Sequence, residues 1–185
     1  DTGRNTAPAI AAAGLQSLQI SDNAVLLVLS ADHVIQDIEK FHSAINIATI
    51  QAMNGKLAIF GIVPTEANTG YGYIQSSKDC NDGAYKVIEF VEKPNLSLAQ
   101  HYLDQGDYLW NSGMFMFQAK TLLNELNEYA PDMIKTMRSA VSNATVDLDF
   151  IRLEKEAFAL SPSDSIDYIL MEKSNNVVVV PLDAN

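Results

Sequence analysis

Cysteine is nearly absent from this chain: Cys80 is the only one in 185 residues. An internal disulfide is therefore excluded, and the usage fits a reducing cytosol, with Cys80 itself an incidental thiol in a polar loop. Also missing is any apolar run approaching the ~20 residues that span a bilayer. Basic residues are few, 12 Lys and Arg against 23 Asp and Glu, for a formal charge of -11. With no basic stripe to neutralise phosphates, general nucleic-acid binding is excluded, although a phosphorylated small molecule needs only a few well-placed groups. The chain also lacks internal repeats, low-complexity tracts and linker-like stretches. What is present, 48% hydrophobic residues at a mean hydropathy of +0.01, is the composition of a globular domain with a sizeable core. The start at Asp1-Thr2-Gly3-Arg4 reads as the middle of a longer protein, and the chain stops at Asn185 without a closing element.

The strongest structural signal is the unbroken apolar run from Ala24 to Leu29, followed by Ser30-Ala31 and then Asp32-His33. Such a run predicts a strand buried on both faces. In an open α/β sheet, ligands bind beyond the carboxyl ends of the strands, which puts Asp32 at a crevice edge. Upstream, Thr6-Ala7-Pro8 predicts a helix start with Thr6 as cap and proline in the first turn. From Val34 to Met53 the positions Ile35, Ile38, Phe41, Ile45, Ala48 and Ala52 recur at helical spacing, ended by Asn54-Gly55. Leu57–Val63 is a second buried strand, so strand, helix and strand predict a right-handed βαβ unit with parallel strands.

Further along, Gly70–Gln75 and Ala84–Val91 alternate apolar with polar residues around a polar loop at 76–83, which predicts an antiparallel excursion. Helices are expected over Leu96–Gln105 with Gly106 as its stop, over Ala119–Tyr129 and over Pro131–Val141. Another is expected over Asp164–Lys173, capped by Ser163 or Asp164. Tyr108–Phe117 and Val177–Val180 read as strands. The expected fold class is α/β, a Rossmann-like mixed but mainly parallel sheet flanked by helices. Residues 1–185 form one partial domain, cut at both ends.

Several polar clusters at strand ends or turns could carry chemistry, and each has a plainer interpretation. Gly3-Arg4-Asn5-Thr6 opens a helix whose free N–H groups suit an anion; ordinary capping beside a solvated arginine ranks first. Asp32 is either a hard-cation ligand, since Mg²⁺ takes only one or two carboxylates and fills the rest with water and phosphate oxygens, or the N-cap of the following helix. His33 reads as structural. Glu92 could accept from vicinal sugar hydroxyls and Lys93 could meet a phosphate. The two side chains are expected to point apart, with Pro94 holding Lys93 extended; the plain alternative is a polar strand end entering a turn. Asn111, an amide in an apolar aromatic strand beside Gly113, suits a sugar hydroxyl or an internal backbone contact at a bulge.

Taken together and in order, Gly3–Ile10, Ala31-Asp32-His33, Asn68–Ile74, Phe90–Pro94, Trp110–Phe115 and Ser165–Tyr168 resemble the mannose-1-phosphate guanylyltransferases, also called GDP-mannose pyrophosphorylases. The bacterial type, often fused to a mannose-6-phosphate isomerase domain, is the nearest likeness. The resemblance covers nearly the whole chain apart from about 76–84. It implies a sugar-nucleotidyltransferase fold and a cytoplasmic transferase joining GTP to mannose 1-phosphate with Mg²⁺. Nucleic acid and membrane are not expected as partners, and a homodimer is admitted. Asp32 then matches the Mg²⁺ aspartate and Glu92 the sugar-hydroxyl acceptor. Lys93 lies beside the sugar or its phosphate, Asn111 is the sugar-contacting amide, and Gly72 approaches the sugar through its backbone. Arg4 and Asn5 are implied near the nucleotide. The family's glycine-rich phosphate loop and its second metal aspartate are not in this sequence, so the segment alone is expected to be inactive.

Overall fold

The computed structural model describes residues 3–183, which form two compact units. One contains the chain up to Ala24 together with Ala119–Lys173; the other contains Val25–Gln118 and the segment from Ser174 onward.

The second unit holds the sheet. Its elements are β1 (Val25–Val28), α2 (Ile38–Met53), β2 (Leu57–Ile62), β3 (Tyr73–Asn81), β4 (Ala84–Val91), α3 (Leu96–Gln105), β5 (Tyr108–Gln118) and β8 (Val177–Pro181). The strand order is β1-β5-β2-β8-β4-β3, and β5 also pairs with β3, so the pairings from β5 through β2, β8, β4 and β3 close into a ring. β1 and β2 do point the same way, as a βαβ unit requires, but β5 lies between them, antiparallel to both. The β2–β8 pairing alone is parallel among the described residues, so the flanked mixed sheet is as expected while its pairings are mainly antiparallel. The cause is β5, long enough to serve β1 with one end and β3 with the other.

Burial follows that order. β2, central in the sheet, is buried from Leu57 to Gly61. β1 is an edge strand only partly covered, with Leu27 and Leu29 exposed, contrary to the two-sided burial its apolar run suggests. α2 lays Ala44, Ala48 and Ala52 against Ala58, Phe60, Met116 and Val180. Small side chains four apart let the helix sit close to the sheet, and the larger Phe41 and Ile45 fill its margins.

β3 runs further than the sequence suggested, through the expected loop to Asn81. The turn is the pair Asp82-Gly83, both at positive φ (50° and 84°), as a tight two-residue hairpin demands. Cys80 therefore stands exposed on β3, paired in register with Tyr85. α3 ends at Gly106 in the left-handed conformation, as expected.

α2 begins later than its periodicity implied. Its N-cap is Asp37, whose Oδ1 accepts from the Lys40 N–H at 3.0 Å. Val34 is outside the helix and exposed, so capping does not explain Asp32. Asp37→Ala is accordingly expected to cost about 1 kcal/mol of stability, whereas Asp32→Ala should stay within about 0.5 kcal/mol of wild type; thermal unfolding of the two variants checks the difference.

The first unit is helical, with α1 (Thr6–Ile20), α4 (Ala119–Tyr129), α5 (Pro131–Ser142) and α6 (Lys155–Leu160). α1 packs on α4 and α5 through Ala7, Ile10, Ala11 and Leu15. The exposed hairpin of β6 (Thr145–Asp147) and β7 (Phe150–Arg152) had no counterpart in the sequence reading. The helix expected over Asp164–Lys173 is a short π-helical segment, Asp167–Met171. The residues before it are tied to the start of α1: the Ala7 N–H donates to Asp164 O at 3.1 Å and the Ile166 N–H to Thr6 Oγ1 at 3.0 Å. Neither Ser163 nor Asp164 caps this segment; Asp164 Oδ1 accepts from the adjacent Ser165 N–H. No helix among the described residues is long and apolar enough to cross a membrane.

Candidate functional site

The site is assembled in the sheet unit around an irregularity in β5. Ile59 faces Phe115 and Gly61 faces Asn111, so β5 carries extra residues between them, a bulge at 112–114. Bulges re-aim side chains and recur beside active sites. Here the bulge needs Gly113 at φ 70°, a value L side chains rarely adopt. The Asn111 Oδ1 accepts from the Gly113 N–H at 3.0 Å and locks the kink. The internal contact proposed as the plain alternative for Asn111 thus exists, made by its oxygen.

Gly72 meets this strand from the other side. Its carbonyl accepts from the Asn111 N–H at 2.8 Å. A Cβ on Gly72 would overlap Glu92 Oε2 and lie 3.2 Å from Asn111 Cβ and 3.3 Å from Phe90 Cζ. Gly72 is not among the positive-φ residues, so space, not backbone conformation, requires glycine there. Glu92 and Asn111, picked out from the sequence, and Gly72, implied by the resemblance, are therefore brought together, both side chains lying against Gly72.

Lys93 departs from expectation. Its φ is 49°, although a residue before proline was expected to be extended. The left-handed turn folds its side chain back, and Nζ lies 3.2 Å from Glu92 Oε1. The two charges that were expected to point apart are an ion pair. A non-glycine residue in this conformation costs on the order of 1 kcal/mol, and such strain gathers at binding sites. The Glu92 side chain is 9% exposed and that of Lys93 57%, so the pair joins a mostly buried carboxylate to an ammonium that reaches water.

Asp32 lies beyond the end of β1, in a turn. With His33, Val34, Ile35, Ile62, Met114 and Leu182 it lines a cavity of about 420 Å³. It makes no hydrogen bond or ion pair among the described residues. A Cβ on Gly113 would sit 3.4 Å from Ser30 Oγ, and Met114 of the bulge lines the Asp32 cavity. The same irregularity thus serves both groups of residues. Among the described residues no group of three or more His, Cys, Asp or Glu is gathered for a metal.

Arg4 and Asn5 belong to the helical unit. Asn5, at φ 64°, caps α1 by accepting from the Thr6 N–H at 2.8 Å; the cap expected at Thr6 falls one residue earlier because Thr6 Oγ1 serves Ile166. The Arg4 guanidinium donates to the Ala159 carbonyl, and its Nε is buried with no partner among the described residues. The arginine is thus not the solvated side chain the plain reading supposed.

Three tyrosines to which sequence reasoning gave no role form a cluster that begins at Tyr73, the residue after Gly72. Tyr73, Tyr102 and Tyr108 form a buried cluster with Ala99, its rings in contact at 5.4 Å (Tyr73–Tyr102) and 4.0 Å (Tyr102–Tyr108). Burial, and then the 2.8 Å bond its hydroxyl donates to Glu89 Oε2, push the Tyr108 phenol well above its ordinary range. It is a neutral donor at any working pH. The missed signal was the repeated tyrosine of Tyr71-Gly72-Tyr73.

Comparison with known proteins places the chain in a family. Residues 1–156 match the family model described as nucleotidyl transferase. A mannose-1-phosphate guanylyltransferase of Salmonella muenchen is 53% identical over 184 residues, which is 98% of this chain and 39% of that protein. The xanthan biosynthesis protein XanB of Xanthomonas campestris pv. campestris is 51% identical over 98% of this chain and 38% of its own length. The chain therefore spans well under half the length of these curated relatives. Among solved structures, a mannose-6-phosphate isomerase from Helicobacter pylori superposes with a TM-score of 0.90 at 34% identity, over 100% of this chain and 71% of that one.

Proposed function

The chain belongs to the nucleotidyl transferase family, and we propose that the whole protein is a mannose-1-phosphate guanylyltransferase, converting GTP and mannose 1-phosphate to GDP-mannose and pyrophosphate. The observation that carries this reading is the contact of Gly72, Glu92 and Asn111, with Lys93 Nζ 3.2 Å from the Glu92 carboxylate. A carboxylate and an amide facing a strand with no side chain suit a polyhydroxylated ring, and an exposed ammonium beside them suits its phosphate. The name and identity of the Salmonella relative support mannose as the sugar.

In the proposed reaction a phosphate oxygen of the sugar phosphate attacks the α-phosphorus of GTP in line. A new P–O bond forms, the α–β anhydride bond breaks, and pyrophosphate leaves with its electron pair. The protein's part is alignment and charge neutralisation. Glu92 accepts from sugar hydroxyls, Asn111 offers its amide, and Lys93 moves its ammonium from Glu92 toward the phosphate. The exchange leaves no buried charge unpaired, because the sugar hydroxyls take the place of the ammonium on the Glu92 carboxylate.

Asp32 fits a hard cation because its carboxylate stands at a cavity edge, released from capping by Asp37. When bound, Mg²⁺ offsets the charge of crowded phosphate oxygens. For Arg4 and Asn5 the proposed nucleotide contact rests on the family resemblance, since the bonds they make lie within their own unit. A cytoplasmic location and a supply of GDP-mannose to polysaccharide synthesis complete the proposal.

The test is pyrophosphate release by the purified full-length protein with Mg²⁺, scanned over nucleoside triphosphates and hexose 1-phosphates. Release with GTP and mannose 1-phosphate, and GDP-mannose as product, is expected. A preference for another base or sugar would move the assignment within the family, and no release with any pair would reject it.

A further inference from the structure

We propose that Tyr73 is a positioning residue for the sugar end of this site: its hydroxyl fixes the 68–72 loop and thereby holds Gly72 against Glu92 and Asn111. The inference rests on the reading of Glu92 and Asn111 as sugar contacts.

Tyr73 is fully buried at the start of β3, and a buried phenol oxygen needs hydrogen-bond partners. Its two shorter bonds go to Asn68 in the preceding loop, and a longer one, at 3.5 Å, reaches the Glu66 carbonyl. The hydroxyl accepts from the Asn68 N–H at 3.0 Å and donates to the Asn68 carbonyl at 3.0 Å. Asn68 passes the constraint on, because its Oδ1 accepts from the Gly70 N–H at 2.8 Å and its Nδ2 donates to Glu66 Oε1 at 3.0 Å. At the far end of the loop, the Tyr71 ring lies 5.0 Å from that of Trp110, and the Gly72 carbonyl accepts from Asn111. The loop is thus tied to the Tyr73 hydroxyl at one end and to β5 at the other.

Packing alone does not require this oxygen. Phenylalanine would fill the same space beside Tyr102 and Ala99, so the hydroxyl's task is separable from the ring's. Without it the Asn68 carbonyl loses this donor and the Asn68 N–H keeps only its 3.2 Å bond to the Glu66 carbonyl, so the loop loses its tie to β3 and is held to the sheet only from the Gly72 side.

The test uses the full-length protein with Tyr73→Phe, and with Tyr102→Phe as a hydroxyl deletion in the same cluster whose oxygen makes no hydrogen bond to the loop among the described residues. Tyr73→Phe is expected to raise KM for mannose 1-phosphate about tenfold, leave KM for GTP within about twofold, and speed Asn68 and Gly70 amide exchange about tenfold, in line with the loss of a buried hydrogen-bond partner. Exchange at Ile74 and Phe90 should not change, and Tyr102→Phe should show none of these effects. Wild-type KM for the sugar phosphate, or equal increases in both KM values, would overturn the proposal whatever the exchange data show. So would unaltered exchange at Asn68. Failure of the function reading is visible separately, because the wild-type protein would then release no pyrophosphate. In that case calorimetric binding of mannose 1-phosphate to wild type and Tyr73→Phe replaces the kinetics, and equal or absent binding overturns the role.

Discussion

Asp32→Asn in the full-length protein is expected to lower turnover about 10³-fold or more while leaving thermal unfolding unchanged, the loss of several kcal/mol of transition-state charge stabilisation. The substitution keeps size and polarity and removes only the negative charge. Stability should not respond, because Asp32 is exposed and neither caps α2 nor joins an ion pair among the described residues. The rate should respond, because a single carboxylate at the edge of the cavity lined by His33, Ile62 and Met114 is this unit's candidate for holding a cation against phosphate oxygens. Two measurements make the claim specific. Chelating Mg²⁺ should stop the wild-type enzyme, and Asp32→Asn should need a much higher Mg²⁺ concentration for its residual rate. A variant that turned over normally at ordinary Mg²⁺ would reduce Asp32 to a turn residue.

How far the sequence foretold this arrangement varies with the range of the interactions involved. Local chemistry was legible. Gly106 stops α3 as expected, and the polar segment between β3 and β4 does reverse the chain, although its turn is only Asp82-Gly83 and not the whole of 76–83. The association of Gly72, Glu92 and Asn111 was legible only through the family resemblance, since their strands meet by pairings between distant segments. For the same reason the antiparallel insertion of β5 between β1 and β2 left no trace in the apolar runs. Those runs report how hydrophobic a strand is and not which strand lies beside it. β1 shows the limit clearly, as an apolar run that forms a partly covered edge.

Charged residues were misjudged where the backbone did something unusual. Lys93 was expected to be extended and solitary, yet a positive φ places its ammonium on Glu92. Asp32 was the cap considered for α2, and the cap is Asp37 because the helix starts later, at a boundary that periodicity sets only to within a few residues. Arg4 reaches a carbonyl at Ala159, a contact with no local signature. Each of these depends on tertiary structure, and each changes the role available to the residue. With Asp37 as the cap, Asp32 is left for the cavity.

Gly72→Ala carries the second large effect. Alanine suits the backbone at this position, so the consequence comes from one methyl group. That methyl would overlap Glu92 Oε2 and press on Asn111 Cβ and Phe90 Cζ. The strand backbone and the phenyl ring are held by packing, so the carboxylate must move, and it carries the Lys93 ammonium with it. A displacement of about 1 Å in a positioning group costs roughly 10²-fold in rate. We therefore expect kcat/KM for mannose 1-phosphate to fall about 10²-fold, with KM for GTP nearly unchanged and about 1–3 kcal/mol of stability lost to overpacking. Gly61→Ala is the contrasting case. Its Cβ would meet Val179 Cγ2 at 2.6 Å and Leu109 Cδ1 at 2.8 Å, so the loss should appear in unfolding, without selectivity for the sugar. Shortening the displaced carboxylate supplies the decisive comparison. Glu92→Asp alone should weaken sugar binding, but added to Gly72→Ala it should cost much less than the sum of the two, because the shorter arm relieves the overlap. Additive losses would mean that Gly72 and Glu92 act independently, and the contact on which the sugar site rests would lose its meaning.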